Sequence, residues 1–190
     1  MKTFAILGAI VSLIGDILLL KLLLKKRYID QSFLTFLLWG FMDGITSIII
    51  FRENGNFLLP FSCSLGSFVI SYFLLSKDSF SFGKEEYFIL VLSFLFIFIW
   101  FTFGGIAGII ASSLALFLAS ILQIKKSWKN PRSTPTSVYI IFLFSTILSY
   151  LGGGEDFIKE RLYSVVAFLI IFLIIISSQK RNIAKFIGDL

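Results

Sequence analysis

The sequence predicts an all-α membrane protein with seven transmembrane helices, in which two parallel three-helix-bundle repeats are joined by a linker helix. Three observations lead to this prediction. The composition is more apolar than that of typical soluble domains, seven apolar segments have the length of a membrane span, and an internal repeat relates positions that lie 100 residues apart.

The composition is typical of a protein whose main solvent is lipid. Of the 190 residues, 57% are hydrophobic and only 15% are charged, and the mean hydropathy is +0.96. Soluble domains are about 45–50% apolar and about 25% charged. Histidine is absent and Cys63 is the one cysteine. These counts exclude a disulfide within the chain, Cys/His zinc sites and catalysis through an imidazole.

Seven apolar segments are close to the ~20 residues that an α-helix needs to cross a membrane. They lie near residues 4–24, 32–51, 57–76, 87–102, 105–124, 136–152 and 160–178. The shortest break is the Gly104-Gly105 turn between the fourth and fifth segments. The first segment contains Asp16 and ends in a basic cluster without a small-residue cleavage site, so we interpret it as a retained helix and not as a secretory signal.

The distribution of Lys and Arg predicts how these segments are oriented. Alternation of sides puts only four of the 17 basic residues on the side of the N-terminus and the other thirteen on the opposite side. The four are Lys2, Arg52, Lys159 and Arg161. The positive-inside rule therefore places the N-terminus outside and the C-terminus in the cytoplasm. This asymmetry explains the basic isoelectric point of about 9.5, and we expect no nucleic-acid partner.

An internal repeat divides the chain. The positions that match at a spacing of 100 residues are Gly8 and Gly108, Ser12 and Ser112, and the pairs Lys25-Lys26 and Lys125-Lys126. We predict a first three-helix repeat over residues 1–80, a linker transmembrane helix over 81–103, and a second three-helix repeat with a short cytoplasmic tail over 104–190. Because the unit has three crossings and one further helix connects the copies, both copies have the same orientation, as in transporters built from parallel repeats.

The loop after the fifth segment carries a resemblance to a known family. Residues 122–125 read Leu-Gln-Ile-Lys, and Lys129-Asn130-Pro131-Arg132-Ser133 follows. This is similar to the Pro-Gln dipeptide and Lys-Ser loop of the PQ-loop family, and with its 3+1+3 order the chain resembles the SWEET sugar transporters within it. Leu122 stands where the family has proline, and Lys21 or a neighbouring leucine stands near the glutamine position of the first repeat. The resemblance therefore implies the fold more than the substrate.

Asp16 and Asp43 lie well inside apolar segments. An ionised carboxylate at the centre of a membrane helix costs ~2.5–3.5 kcal/mol on insertion scales, so each acid has to face the bundle interior, find a partner or stay protonated. The functional interpretation is a proton-coupling site, or a counter-charge for a cationic or polyhydroxylated substrate. The structural interpretation is a hydrogen bond to serines of the third segment, such as Ser64, Ser67 or Ser71.

Other candidates share a helix face with these acids or occupy the related face of the second repeat. Trp39 precedes Asp43 by four residues and so lies on the same face of its helix. An aromatic ring beside a carboxyl group suits a small polar organic ligand, although Trp39 is equally well explained as a packing residue. The candidate substrate-binding or proton-coupling residues are Asp16, Trp39, Asp43, Tyr139, Ser145 and Thr146.

The function that these features favour is a transporter or facilitator of a small polar solute such as a sugar, an amino acid or a vitamin-like molecule, with proton coupling through the acids as an option. A seven-helix sorting or ligand receptor, or an accessory membrane subunit on the same fold, is the alternative. We expect no enzymatic activity and no cofactor, because acidic metal-binding clusters and a nucleophile elbow are missing from the sequence. The expected partners are the lipid bilayer and a small-molecule substrate, and homo-oligomerisation is left open.

The orientation can be tested with reporter fusions. A fluorescent protein that folds only in the cytoplasm, fused after Leu190, is expected to fluoresce, whereas the same reporter fused after Gly154 is expected to stay dark. A periplasm-active phosphatase should give the opposite pair of results, because the two positions lie on opposite sides. A dark C-terminal fusion that is well expressed and becomes active with the phosphatase would contradict both the orientation and the odd number of crossings.

Overall fold

The computed structural model describes residues 2–25, 31–75 and 84–180, in which every regular element is helical. The α-helices are α1 (Lys2–Leu24), α2 (Phe33–Arg52), α3 (Leu58–Leu75), α4 (Lys84–Phe103), α5 (Gly105–Lys129), α6 (Thr136–Gly152), α7 (Phe157–Glu160) and α8 (Leu162–Ser178). Apart from the one-turn helix α7, they occupy the apolar segments predicted from the sequence. The predicted cytoplasmic tail beyond residue 180 and the basic pair Lys26 and Arg27 lie outside the described residues.

The outer surface of the bundle is apolar. Within the described part of the chain, α1, α2, α3 and α5 are long and apolar enough to cross a membrane, and α6 and α8 are apolar helices of 17 residues each. Large side chains such as Ile17 (63% exposed), Phe51 (60%) and Phe101 (75%) point outward. Soluble monomers rarely expose large contiguous apolar surfaces, so the fold is compatible with a multi-pass membrane protein.

Local chemistry sets the helix boundaries. Ser32 caps α2, and its side chain accepts a hydrogen bond from a backbone N–H of the first turn. Gly104, at φ +87°, separates α4 from α5 in a conformation that costs glycine little. Helix α5 continues to Lys129, five residues beyond the predicted segment, and ends shortly before Pro131. Proline disfavours a helical conformation in the residue before it, so the helix stops there and not where the apolar run ends.

Six helices form a ring. Helix α1 packs on α3 and α6, α2 packs on α3 and α5, and α8 lies between α5 and α6. Helix α4 packs mainly on α5, outside the ring. In each half of the chain the last helix therefore lies between the other two, in the orders α1–α3–α2 and α5–α8–α6.

The ring helices begin at two opposite ends of the bundle. We call these the Lys159 end, where α1, α3, α5 and α8 begin, and the Gln31 end, where α2 and α6 begin. At the Lys159 end, Lys159 Nζ lies 3.3 Å from Glu53 Oε2. At the Gln31 end, the Tyr139 hydroxyl donates to Gln31 Oε1 at 2.8 Å. Helices α1 and α5 correspond to each other in the repeat, at a spacing of 100 residues. They run in the same direction through the bundle.

Small residues bring α1 and α6 close together. The buried residues of α1 recur mostly every three or four positions and are Ala5, Gly8, Ser12, Gly15, Asp16, Leu19 and Leu23. A Cβ atom added at Gly8 would lie 2.8 Å from the carbonyl oxygen of Ser145 and 2.9 Å from the backbone nitrogen of Ser149. Since both are backbone atoms, neither can move aside without shifting α6. Glycine is required at this crossing for packing, as is common between helices in membranes.

Replacing Gly8 with alanine is therefore expected to destabilise the bundle, with an overpacking cost of about 1–3 kcal/mol. The control is Gly154→Ala, where the nearest atoms to the new Cβ would lie 3.5 Å away, which is ordinary van der Waals contact. Thermal unfolding of the detergent-purified variants should show a lower Tm for Gly8→Ala and a nearly unchanged Tm for Gly154→Ala. Equal Tm values for the two variants would show that the α1–α6 crossing has room to spare.

Candidate functional site

A cavity of about 60 Å³ lies inside the ring, and all six ring helices contribute to its wall. Its lining residues are Asp16 from α1; Phe36, Trp39 and Asp43 from α2; Cys63 and Ser67 from α3; Leu116 from α5; Tyr139 and Phe142 from α6; and Tyr163, Ala167, Ile170 and Ile171 from α8. The wall is aromatic and aliphatic, with two carboxyl groups and a few hydroxyl groups. Four of the six candidate residues from the sequence meet here.

Asp43 is held by the other half of the chain. Its side chain is 3% exposed, and the Tyr163 hydroxyl donates to Asp43 Oδ1 at 2.7 Å. The serines of α3, which were the expected structural partners, do not fill this role. Ser64, for example, donates to the carbonyl oxygen of Gly40 at 2.8 Å. The acid of α2 is therefore fixed by a tyrosine near the start of α8.

Asp16 is buried without a hydrogen-bond donor. It is 8% exposed, and its Oδ2 atom has no hydrogen-bond partner among the described residues. Gly66 of α3 lies directly against this carboxyl group, and a Cβ atom at position 66 would occupy the same space. The glycine therefore makes room for the carboxyl group at the cavity wall, and an acceptor remains available there.

Trp39 connects α2 to α5 beside the cavity. Its indole Nε1 donates to the Ser120 hydroxyl at 2.9 Å, and that hydroxyl donates to the carbonyl oxygen of Leu116 at 2.6 Å. The ring of Phe36 packs edge-on against the indole at 5.0 Å between centroids. Because its N–H group already has a partner, Trp39 presents an aromatic surface to the cavity and no free donor.

At the Gln31 end, polar contacts join the start of α2 to α5 and α6. Tyr139, which is 1% exposed, donates to Gln31, and Lys126 Nζ donates to the carbonyl oxygen of Gln31 at 2.9 Å. Gln123 is fully buried and its Oε1 accepts a hydrogen bond from the backbone nitrogen of Ser32 at 3.3 Å. The glutamine that carries the PQ-loop resemblance is thus part of a contact between the two halves of the chain.

At the Lys159 end, a second set of polar contacts lies on the other side of the cavity. The side chain of Asn56 donates to the carbonyl oxygen of Ser149 at 3.2 Å, and its backbone nitrogen donates to the carbonyl oxygen of Lys159 at 3.3 Å. Lys159 also pairs with Glu53. The segment between α2 and α3 is therefore attached to α6 and α7, and the cavity lies between two zones of inter-helix hydrogen bonds.

Ser145 and Thr146 are buried but do not line the cavity. Ser145 donates to the carbonyl oxygen of Phe142 and Thr146 to that of Leu143, each at 2.7 Å. Both hydroxyl groups are thus used within α6. Thr146 lines a separate hollow, formed by residues of α6 and α8.

Among the cavity residues with a hydroxyl, thiol or carboxyl group, sequence reasoning missed Tyr163 and Cys63 as parts of the site. Tyr163 stands at the start of an apolar segment, where tyrosine is common at membrane interfaces and attracts no notice. Cys63 Sγ lies 3.3 Å from the Ser12 hydroxyl, and its position in an apolar run resembles that of any buried cysteine. A buried acid that needs a donor is the signal that could have pointed to a tyrosine.

Fold and site together define a helical bundle with an apolar exterior and an internal cavity that contains two acids. No group of three or more His, Cys, Asp or Glu residues in the described parts of the chain is arranged to hold a metal ion. No protein-family model, curated protein or solved structure matches this chain.

The hydrogen bond between Tyr163 and Asp43 can be tested with a double-mutant cycle. Tyr163→Phe removes the donor and leaves a buried acceptor without a partner, which is expected to cost about 0.5–2 kcal/mol. In an Asp43→Leu background, which has no acceptor at this position, the same substitution should cost less, because the partners are coupled. Tyr150→Phe, which removes a half-exposed hydroxyl on α6, is the control.

Thermal unfolding in detergent measures all four corners of the cycle. Additive effects of the Tyr163 and Asp43 substitutions, or a Tyr163→Phe variant as stable as Tyr150→Phe, would contradict the hydrogen bond.

Proposed function

We propose that this protein is a transporter of a small polar solute, with seven transmembrane helices and a binding site in the central cavity. One observation carries the proposal. A single cavity with two buried carboxyl groups is lined by all six ring helices, and so by both halves of the chain. A site at the interface of two helical bundles is where many transporters hold their substrates, because a movement of one bundle against the other opens it to either side.

The order of the helices supports two parallel three-helix repeats joined by α4. Exchanging α1, α2 and α3 for α5, α6 and α8 maps the ring onto itself, since the contact of α1 with α6 becomes that of α5 with α2. Helix α4 lies outside this ring, as a linker would. The same order agrees with the expected SWEET and PQ-loop-like architecture, to which the position of Gln123 adds a local argument.

The charges support an orientation with the Gln31 end in the cytoplasm. The predicted cytoplasmic side holds thirteen of the 17 Lys and Arg residues, among them Lys125, Lys126 and Lys129 at the end of α5. The positive-inside rule assigns the side with more Lys and Arg to the cytoplasm. The Lys159 end then faces outward.

The geometry supports an alternating-access mechanism. Polar contacts at the Gln31 end and at the Lys159 end lie on opposite sides of the cavity, and hydrogen bonds between membrane helices average only ~0.6 kcal/mol. Either set can therefore open at modest cost while the other stays closed. Asp16 and Asp43 take up and release protons as the cavity gains and loses access to water, which couples solute movement to the proton gradient.

A receptor would be expected to contact its ligand through an exposed loop cluster such as Glu155-Asp156, but this cluster gives the receptor alternative no support. Asp156, in the exposed acidic cluster near the Lys159 end, accepts hydrogen bonds from the backbone nitrogens of Ile158 and Lys159 at 3.1 and 3.2 Å. Its carboxyl group caps α7. It is thus already used within the chain.

Transport can be tested in proteoliposomes. Purified protein is first screened by thermal shift against sugars, amino acids, vitamins and organic cations, and the best ligand is then used as a labelled substrate at two external pH values. Uptake by the native protein is expected to depend on the proton gradient. Asp43→Asn should fold normally but lose uptake or its pH dependence, because an amide group does not gain or lose a charge in this pH range.

The control is Glu155→Gln, which makes the same chemical change at an exposed position outside the cavity. Its uptake and pH dependence are expected to match those of the native protein. Native uptake in both Asp16→Asn and Asp43→Asn would reduce the two acids to structural groups. No accumulation of any tested solute would contradict the transport proposal for these substrate classes.

A further inference from the structure

We infer, on the basis of the proposed transport function, that the solute is an organic cation whose ammonium group binds between Asp16, Asp43 and the aromatic wall of the cavity. The inference concerns the class of solute, which the fold by itself leaves open. It rests on three features of the cavity: its charge balance, the buried and unpartnered Oδ2 atom of Asp16, and its aromatic surface.

The charge balance of the cavity favours a cation. Asp16 and Asp43 line the same small space, and the described lining contains neither lysine nor arginine. Repulsion between two carboxylates is strong where water is scarce, so both can be ionised only with a positive charge beside them. Asp43 receives a neutral donor from Tyr163, so no described side chain of the wall supplies that positive charge. A bound ammonium group supplies that charge.

The unpartnered oxygen of Asp16 identifies where the ligand is held. Asp16 Oδ2 is buried, has no hydrogen-bond partner in the described chain, and belongs to a residue of the cavity wall. Buried polar atoms in folded proteins nearly always have a partner. The Gly66 backbone leaves space for the carboxyl group, so the acceptor is part of a formed site. An N–H or O–H group of the ligand would complete it.

The rest of the wall matches the apolar part of an organic ammonium ion. Phe36, Trp39, Phe142, Tyr139 and Tyr163 contribute aromatic surface to the cavity. Aromatic faces attract cations, tryptophan most strongly, and such rings are the usual recognition element for quaternary ammonium groups. A divalent metal ion fits less well, because no group of three or more His, Cys, Asp or Glu residues in the described chain is arranged to hold one.

Two other solute classes fit less well. A zwitterionic amino acid would bring a carboxylate into a cavity that already holds two acids and has no described basic residue to pair with it. A sugar needs several donors and acceptors around its ring, but the indole N–H of Trp39 is engaged by Ser120 and the hydroxyl of Tyr139 by Gln31. The cavity is also small beside the ~300–1,000 Å³ of pockets for drug-sized ligands.

The probes for the test are choline and its neutral isostere 3,3-dimethyl-1-butanol, which have the same shape and the same hydroxyl group but differ in charge. Choline should raise the Tm of the detergent-purified protein by about 2–4 °C at saturating concentration. The isostere, sodium chloride at equal ionic strength and glucose should leave the Tm unchanged. Equal shifts with choline and the isostere, or a shift with glucose or sodium alone, would overturn the inference.

Single substitutions test whether choline binds in the cavity. Asp16→Asn should weaken the apparent affinity for choline at least about tenfold, because a charged partner is lost. If Asp16→Asn folds poorly, Asp43→Asn provides a second measurement of the same effect. Glu155→Gln should bind choline like the native protein. A choline-dependent Tm shift that is unchanged in both cavity variants would place binding elsewhere and contradict the inference.

Uptake of labelled choline into proteoliposomes distinguishes the cation-site inference from the transport proposal on which it rests. Charge-selective binding without uptake supports the cation site and contradicts transport. Uptake of a neutral sugar, with no charge-selective binding, supports transport and overturns the cation site.

Discussion

The burial of two carboxyl groups in a bundle with an apolar exterior is the constraint on which the rest of this structure depends. Asp16 and Asp43 lie on helices whose outward faces are covered by large apolar side chains. Neither acid can turn toward lipid without a penalty of several kcal/mol. The bundle meets this constraint by closing six helices into a ring. The inward faces of the ring then enclose the two carboxyl groups in an interior that neither half of the chain provides alone.

Several other features follow from the enclosure of the acids. Close contact between helices requires small residues at the crossings, as Gly8 shows against the backbone of α6 and Gly66 shows against the carboxyl group of Asp16. Some interior hydroxyl groups donate hydrogen bonds to backbone carbonyl oxygens of their own helices. Asp43 accepts a hydrogen bond from Tyr163. Other buried hydroxyl groups, such as those of Thr35 and Ser113, have no partner among the described residues, and neither does the Oδ2 atom of Asp16.

The sequence predicted the helices well because each apolar run and its polar breaks are local features. Asp16, Trp39, Asp43 and Tyr139, which the sequence offered as candidates, lie together at the cavity wall. An acid inside an apolar run has to face inward, and helical spacing places its neighbours. The hydrogen-bond partners of these residues could not be predicted from the sequence. Tyr163 lies 120 positions from Asp43, and Gln31 lies 108 positions from Tyr139. No local pattern specifies such pairs.

Ser145 and Thr146 show a second limit of sequence reasoning. Their position on a helix face was informative, but their hydroxyl groups turn back to the carbonyl oxygens three residues earlier. Serine and threonine have this local alternative in any helix, whereas an ionised aspartate has no hydrogen to donate to a carbonyl oxygen. A carboxyl group inside an apolar helix is therefore a stronger indicator of a site than a hydroxyl group.

The position of Tyr163 near the start of α8 has a consequence for the synthesis of this chain. Helices α1 and α2 are synthesised well before α8, so the acids of the first half enter the membrane before the hydroxyl group that pairs with Asp43 exists. Until then the insertion machinery, water near the membrane surface or bound protons must stabilise the two carboxyl groups. A chain interrupted before α8 would keep Asp43 without this donor. The synthesis of α8 thus completes the pairing of Asp43.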